Sequence, residues 1–413
     1  ISLKSIFYST SSFFIELLGE FTITRIMEEL SLNRGHLIFI GGGRFYMLLP
    51  NTVDSVKKID DIKFEINEYL YQHFGLTLYL TIAIHAIAPI ILKSDNINNI
   101  ATETLLKNDT AVSDFAAEWN QLGKILNAKK NRKHIEILKK YGETVVGPIQ
   151  PKNNFCDVCK NDFYKITEEE VENICDICKQ MLILGKRLLN VNYIVRSAKP
   201  QKLKKFAEVQ IAKYYYFFIE NYEDIEYLED IDLLYVINNY SVAAYKKYLS
   251  ISLLIGNYNF GFETFEEIGT ASFGVSKIGV LRMDVDNLGK LFSIGLPKTI
   301  RNATRIAALS KELSFFFKIY LNNLCAGNLP ESICQFRFEN MNNNQNTRRK
   351  VLIVYAGGDD VFLIGAWQDV IETSFDIQKL MKHYTCENPD LTISGGMIII
   401  SHNFPFYKAA ELA

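Results

Sequence analysis

The stretch "IVYAGGDDVFLIG" (353–365) sets two glycines and two aspartates inside an apolar run. Aspartate is a poor strand former, so the pattern reads as two strands, Val351 to Tyr355 and Val361 to Ile364, joined by a glycine turn. A hairpin tip carrying two carboxylates calls for something to hold. A second pair stands upstream in "VLRMDVDNLGK" (280–290). Alternation along that strand puts Leu281, Met283 and Val285 on one face and Arg282, Asp284 and Asp286 on the other. If the strand neighbours the hairpin, Asp284 approaches Asp359 or Asp360. Gathered carboxylates repel and are costly to desolvate, so the arrangement makes sense chiefly around a divalent cation. Hard oxygen ligands select Mg²⁺ or Mn²⁺, which bind through a few carboxylates plus substrate phosphates. Gly357 and Gly358 are expected to turn the chain and to leave no Cβ in the way of a nucleotide. The bland alternative is a solvated Asp-Asp turn.

Working outward, the hairpin sits in an ordered set: strand Ile278 to Met283, helix Ile306 to Leu324, the hairpin, helix Val370 to His383 and strand Leu391 to Ile400. The first hundred residues follow the same order, with a helix over Phe13 to Leu30, strands Leu37 to Ile40 and Phe45 to Leu49 about a glycine turn, then a helix and a strand. "FIGGGRFYMLLP" (39–50) matches "YAGGDDVFLIGA" (355–366), and "LTLYLTIAIHAI" (76–87) matches "LTISGGMIIIS" (391–401). The chain therefore reads as a duplicated domain in which the second copy alone keeps the aspartates. The apolar run Leu76 to Leu92 contains His85 and Pro89, is shorter than the roughly 20 residues a spanning helix needs, and reads as a strand.

Between the copies lie "CDVC" (156–159) and "CDIC" (175–178), a C-x2-C-x15-C-x2-C spacing that fits a closed tetrahedral zinc site of Cys156, Cys159, Cys175 and Cys178. Such a site adds stability and leaves no open coordination position. Cys325, Cys334 and Cys386 read as packing residues. Two basic stretches, 129–140 and 186–205, either grip phosphates or face water.

The 413 residues predict two to four domains, and 48% hydrophobic with 22% charged residues at a net charge of -2 is ordinary globular composition. Any nucleic-acid surface must then be local. No secretory leader pattern opens the sequence, so the cytoplasm is the expected compartment, with no membrane association. It starts at Ile1 rather than methionine and stops in the helix-like "FYKAAELA" (406–413), so further chain is expected beyond both ends.

Together these residues resemble the large subunit of type III CRISPR-Cas effector complexes in its Csm-type form. "SLKSIFYSTSSFFIELLGE" (2–20) is similar to that family's first palm helix, "GGGRFYMLLPN" (41–51) to its degenerate first palm turn, and the cysteine pairs to its zinc linker. "FEEIGTASFGVSKIGVLRMDVDNLGKLFSIGL" (265–296), "RIAALSKELSFFF" (305–317) and "YAGGDDVFLIGA" resemble its active palm. The resemblance implies an α+β fold of two ferredoxin-like palm domains, 1–110 and 271–413, separated by a helical zinc-binding linker domain, 111–270. It implies an ATP-dependent nucleotidyltransferase making cyclic oligoadenylates when CRISPR RNA pairs with target RNA beside other Csm-type subunits. Asp284, Asp359 and Asp360 would be catalytic and hold Mg²⁺ or Mn²⁺. Gly357, Gly358, Ser310, Val285, Gly289, Ser12, Gly42 and Gly43 would bind nucleotide. Many members open with an HD nuclease domain and close with a helical domain; the six histidines here include no His-Asp dipeptide. A GTP-using diguanylate cyclase and a non-catalytic scaffold are the competing readings.

Overall fold

The computed structural model describes residues 3–41, 43–92, 115–142, 145, 154–157, 162–163, 173–187, 190–201, 207–241, 245–262, 264–297, 302–330, 348–404 and 406–413. It divides into two compact units. One comprises Leu17–Ile149 and Asn287–Glu312, the other Ile1–Glu16, Gln150–Asp286 and Leu313–Ala413.

In the first unit, strands β1 (Leu37–Gly41) and β2 (Arg44–Met47) pair antiparallel around Gly43, whose φ of 67° needs a residue without a side chain. The helix Val53–Phe74 is capped by Thr52, whose side chain accepts from the Ser55 N–H, and buries Ile59, Ile62, Ile66 and Leu70 at helical spacing. Tyr46 stacks on Trp119 of the helix Phe115–Lys130 at 4.1 Å between ring centres, and Phe39 meets Phe292 edge-on at 5.5 Å. Among the described residues the expected strand over Leu76 to Leu92 does not form: residues 77–88 join no ladder. Buried Asn67 takes both backbone groups of Leu80, accepting its N–H at 2.7 Å and donating to its carbonyl at 2.9 Å, and Lys129 Nζ donates to the Ile82 carbonyl. At Leu80 and Ile82, side chains do what a neighbouring strand would.

The second unit holds two sheets and a short hairpin, β3 (Asn154–Phe155) with β4 (Asp162–Phe163). The larger sheet is built from β5 (Tyr193–Ser197), β6 (Ala207–Ile211), β7 (Tyr214–Ile219), β8 (Ile231–Ile237) and β9 (Ser250–Leu253), in the order β6-β7-β5-β8-β9. Of the helical linker expected over 111–270, the first part holds the helices Phe115–Lys130, Ile135–Tyr141 and Asp176–Arg187, and a five-stranded sheet stands in the place of the rest. Its sequences are rich in β-branched and aromatic residues with strict in-out alternation in β6, and Val195, Phe217, Leu234 and Val236 close its core.

The other sheet comprises β10 (Ile278–Val285), β11 (Val351–Ala356), β12 (Asp360–Ala366) and β13 (Ile393–Ile400), all antiparallel, in the order β11-β12-β10-β13. In chain order this is β-α-β-β-α-β with spatial order fourth, first, third, second, the ferredoxin-like arrangement. Ile278, Val280, Val354, Ile364 and Ile400 pack with Ile268 and Ala409 on one face. On the other, Gly279 lets the helix Trp367–Tyr384 approach so closely that a Cβ there would stand 2.8 Å from Val370 Cβ. The expected helix Ile306 to Leu324 is present in three parts: Ala303–Phe315, a π-helical turn Phe316–Tyr320, and Leu321–Ala326. Buried Lys318, in the π turn, pairs with Glu16.

Candidate functional site

Strand β10 carries the first carboxylate to the edge of the core. Its inward residues Leu281, Met283 and Val285 are buried while Arg282 and Asp284 are exposed, as alternation requires. Asp284 lies directly opposite Asp360, the first residue of β12. Directly paired residues share a face with Cβ atoms about 5 Å apart, within reach of one cation. Asp359 enters differently: its backbone carbonyl accepts the Val285 N–H at 2.9 Å, stitching the turn to β10. The structure thus sorts two adjacent aspartates that the sequence left equivalent, setting Asp360 against Asp284 by register.

The electrostatics agree with that sorting. Burial and the Asp359 charge push the Asp360 carboxyl up to about 6, the Asp284 charge adding to them, against lowering by the Tyr355 hydroxyl as a hydrogen-bond donor and by the Arg282 charge. Asp284 is shifted upward by its partial burial and by Asp286. Asp286 is itself engaged, its Oδ2 accepting the Thr392 and Ser394 hydroxyls at 2.6 and 2.9 Å. Asp360 Oδ1 is buried and has no hydrogen bond of ordinary geometry. A buried carboxylate oxygen without a well-formed hydrogen bond beside a second carboxylate fits a divalent cation.

Gly357 has a more internal reason than the one expected. A Cβ there would stand 2.1 Å from the Tyr355 hydroxyl and 2.7 Å from Asp360 Oδ1, and its backbone is not left-handed. The missing side chain makes room for protein atoms. Its N–H donates to the Asp360 carbonyl at 2.8 Å, closing the hairpin.

Asp284, Val285, Gly357, Gly358, Asp359 and Asp360 all fall in the second unit and share the hairpin end of this sheet. Gly43, Gly289 and Ser310 belong to the first unit. Ser310 is buried at 4% exposure. Gly289 is the second residue of the helix Leu288–Ile294, which follows left-handed Asn287, and a Cβ there would meet open space. Gly42 lies outside the described residues, and Ser12 is placed only as part of the helix Leu3–Glu29. Tyr355 was not anticipated from sequence. Its signal was the short spacing to Gly357, which gains meaning only once both are on one sheet face.

Among the cysteines, the Sγ atoms of Cys156, Cys175 and Cys178 lie within 4.8 Å of one another, with Cys156 and Cys178 buried. The Cys175 N–H donates to Cys156 Sγ at 3.3 Å. Cys159 lies outside the described residues, as does Cys334. Three converging thiols with an amide donor fit a thiolate metal site. Of the residues expected to be packing cysteines, Cys325 is buried, whereas Cys386 is exposed at a positive φ after the helix Trp367–Tyr384.

Comparison with known proteins places these features. Residues 277–413 match the Cas10/Cmr2 second palm domain, and residues 8–144 match Csm1 subunit domain B. A subtype III-A relative from Methanocaldococcus jannaschii, named CRISPR system single-strand-specific deoxyribonuclease Cas10/Csm1, is 28% identical over 97% of this chain and 51% of its own length. The chain thus spans about half the length of the relatives it matches. The fold is shared with a Csm1–Csm4 cassette in complex with one ATP, at a TM-score of 0.73 and 21% identity over 100% of this chain and 51% of that one. It is shared equally with a cassette in complex with cA4, at a TM-score of 0.70 and 22% identity over 98% and 48%. With the two matches in chain order and the paired aspartates inside the second, the chain is similar along most of its length to Cas10/Csm1 proteins of subtype III-A CRISPR systems.

Proposed function

We propose that this chain carries the nucleotidyltransferase half of a Csm-type large subunit and converts ATP to cyclic oligoadenylates. The observation that carries the reading is the register pairing of Asp284 with Asp360, whose Oδ1 is buried without a well-formed hydrogen bond. Solved relatives of this fold in complex with ATP and with cA4 support the choice of substrate and product.

Asp284 and Asp360 would hold Mg²⁺ or Mn²⁺, with Asp359 adding charge beside them. When bound, the ions supply charge stabilisation for in-line displacement at phosphorus. The reaction joins the 3′-oxygen of one ATP to the α-phosphorus of another, expelling pyrophosphate. The chain's part is to fix the carboxylates by strand register and to hold two nucleotides in line. Gly358, Val285, Gly289, Ser310, Ser12, Gly42 and Gly43 would contact nucleotide, as the resemblance implies. No side-chain base is needed beyond the aspartates. Cys156, Cys159, Cys175 and Cys178 would hold a structural zinc ion. The domains would run 1–110, 111–270 and 271–413, the outer two being palm domains. Other Csm-type subunits, CRISPR RNA and target RNA would be partners, as Csm4 is for the solved relatives. The cytoplasm is the proposed compartment; among the described residues no helix is long and apolar enough to cross a membrane. The nuclease activity in the relatives' name is not proposed for these residues.

The test is incubation with ATP and Mn²⁺, alone and assembled with Csm-type subunits, CRISPR RNA and target RNA, with products read by mass spectrometry. Cyclic adenylates are expected from the parent and none from Asp360→Ala, with Asp359→Ala the milder loss. Products from GTP but not ATP would move the reading to a diguanylate cyclase, and silence from the activated complex would leave a scaffold.

A further inference from the structure

Tyr355 stands in an unusual place for a large side chain two residues before the turn. The ladder between β11 and β12 slips between Ile353 and Tyr355, so that Ile353 opposes Leu363 while Tyr355 opposes Phe362. Phe362 in turn opposes Arg282, and Arg282 shares its strand face with Asp284. The irregularity therefore turns Tyr355 onto the aspartate face; regular alternation from Ile353 would have put it with Leu363. From there its hydroxyl reaches into the space where Gly357 lacks a Cβ, 2.1 Å from that position, and Asp360 Oδ1 lies 2.7 Å from the same position. The two oxygens are gathered at one point, where the Tyr355 hydroxyl acts on Asp360 as a donor without a hydrogen bond of ordinary geometry at Oδ1.

We infer that Tyr355 is a positioning residue, whose O–H donates to Asp360 when a cation is bound and holds that carboxylate toward Asp284, with Gly357 required to admit the hydroxyl. The chemistry suits the task. A phenol is a neutral donor at working pH, so it orients a carboxylate without neutralising the charge the cation needs, as a lysine or arginine would. Metal-binding carboxylates are commonly held by such outer hydrogen bonds, and their loss typically weakens metal binding by about 10- to 100-fold. The inference rests on the metal-site reading proposed above.

The experiment is a Mn²⁺ titration without nucleotide, reading free Mn²⁺ by electron paramagnetic resonance. It compares the parent with Tyr355→Phe, Gly357→Ala, the double variant and Asp284→Ala/Asp360→Ala, each first checked for an unchanged circular dichroism spectrum. Tyr355→Phe is expected to weaken Mn²⁺ binding by about tenfold. Gly357→Ala should do the same, and the double variant should be no worse than either, because both changes remove one hydrogen bond. In the turnover assay the Mn²⁺ concentration for half activity should rise while the KM for ATP stays put. Tyr355→Phe binding Mn²⁺ like the parent would overturn the inference while leaving the metal site standing. A parent that binds no more Mn²⁺ than the double-aspartate variant would instead overturn the metal site, and the inference with it.

Discussion

A carboxyl whose ionised form is disfavoured in the folded state makes stability depend on pH, and Asp360 is such a group. Its pKa is raised from 3.8 to about 6 by burial and by the charges of Asp359 and Asp284. Between those two values the folded state holds the extra proton, so stability is greatest at the acid side and falls as pH rises through the folded value. In metal-free buffer the parent should therefore lose thermal stability relative to Asp360→Asn as pH rises from about 4 to about 7. Saturating Mn²⁺ should shrink that difference, since a bound cation favours the ionised carboxylate. Differential scanning calorimetry of both proteins across that range checks it, and parallel Tm profiles without metal would contradict the assignment of Asp360 as the perturbed group. At this scale the sequence singled out the aspartates. It could not rank Asp359 against Asp360, because adjacent residues on a strand differ only in which face they take, and the face is set by the partner strand.

Elements in this molecule are tied by buried polar contacts whose partners are far apart in sequence. Arg349, 2% exposed and just before β11, is held between Glu372 and Asp376 on one turn of the helix Trp367–Tyr384, and its N–H donates to the Cys325 carbonyl at 2.8 Å. Three elements that frame the hairpin sheet meet at this one residue, two through its guanidinium and one through its backbone N–H. Arg349→Ala would leave two buried carboxylates uncompensated, and a destabilisation of about 3–5 kcal/mol is expected by urea denaturation. Arg349→Lys would keep a charge but lose the planar fork that serves two carboxylates, and should fall between. The segment 77–88 teaches the complementary lesson. Its apolar composition and its match to β13 spoke for a strand, yet Asn67 satisfies Leu80 from the side and no ladder forms there. A hydrophobic pattern shows that a segment is packed, not what its backbone bonds to.

For the molecule as a whole, the cysteine cluster belongs to the unit that carries both larger sheets. A zinc ion there would fold the connection that leads into the five-stranded sheet. About one zinc per chain is expected to be released on treatment with a thiol-modifying mercurial, followed with a chromophoric chelator. Loss of that zinc, or Cys178→Ser, should lower Tm while leaving nucleotide-free Mn²⁺ binding in place, because the aspartate pair is fixed by its own sheet. Metal-free protein with an unchanged Tm would remove the zinc reading.

By itself the sequence determined the chemistry and the order of elements: two carboxylate strands, a Gly-Gly turn, four cysteines at zinc spacing, and the β-α-β-β-α-β succession of residues 278–400. These are legible because side-chain type and local period report directly on ligand chemistry and on helix or strand. Tertiary structure alone decided that Asp360 faces Asp284, that Gly357 yields its space to Tyr355, that residues 193–253 form a sheet rather than a helical linker, and that residues 77–88 stay outside any ladder. Each of these depends on which segment lies alongside, and strand pairing between distant segments is a property of the packed chain that no local window contains.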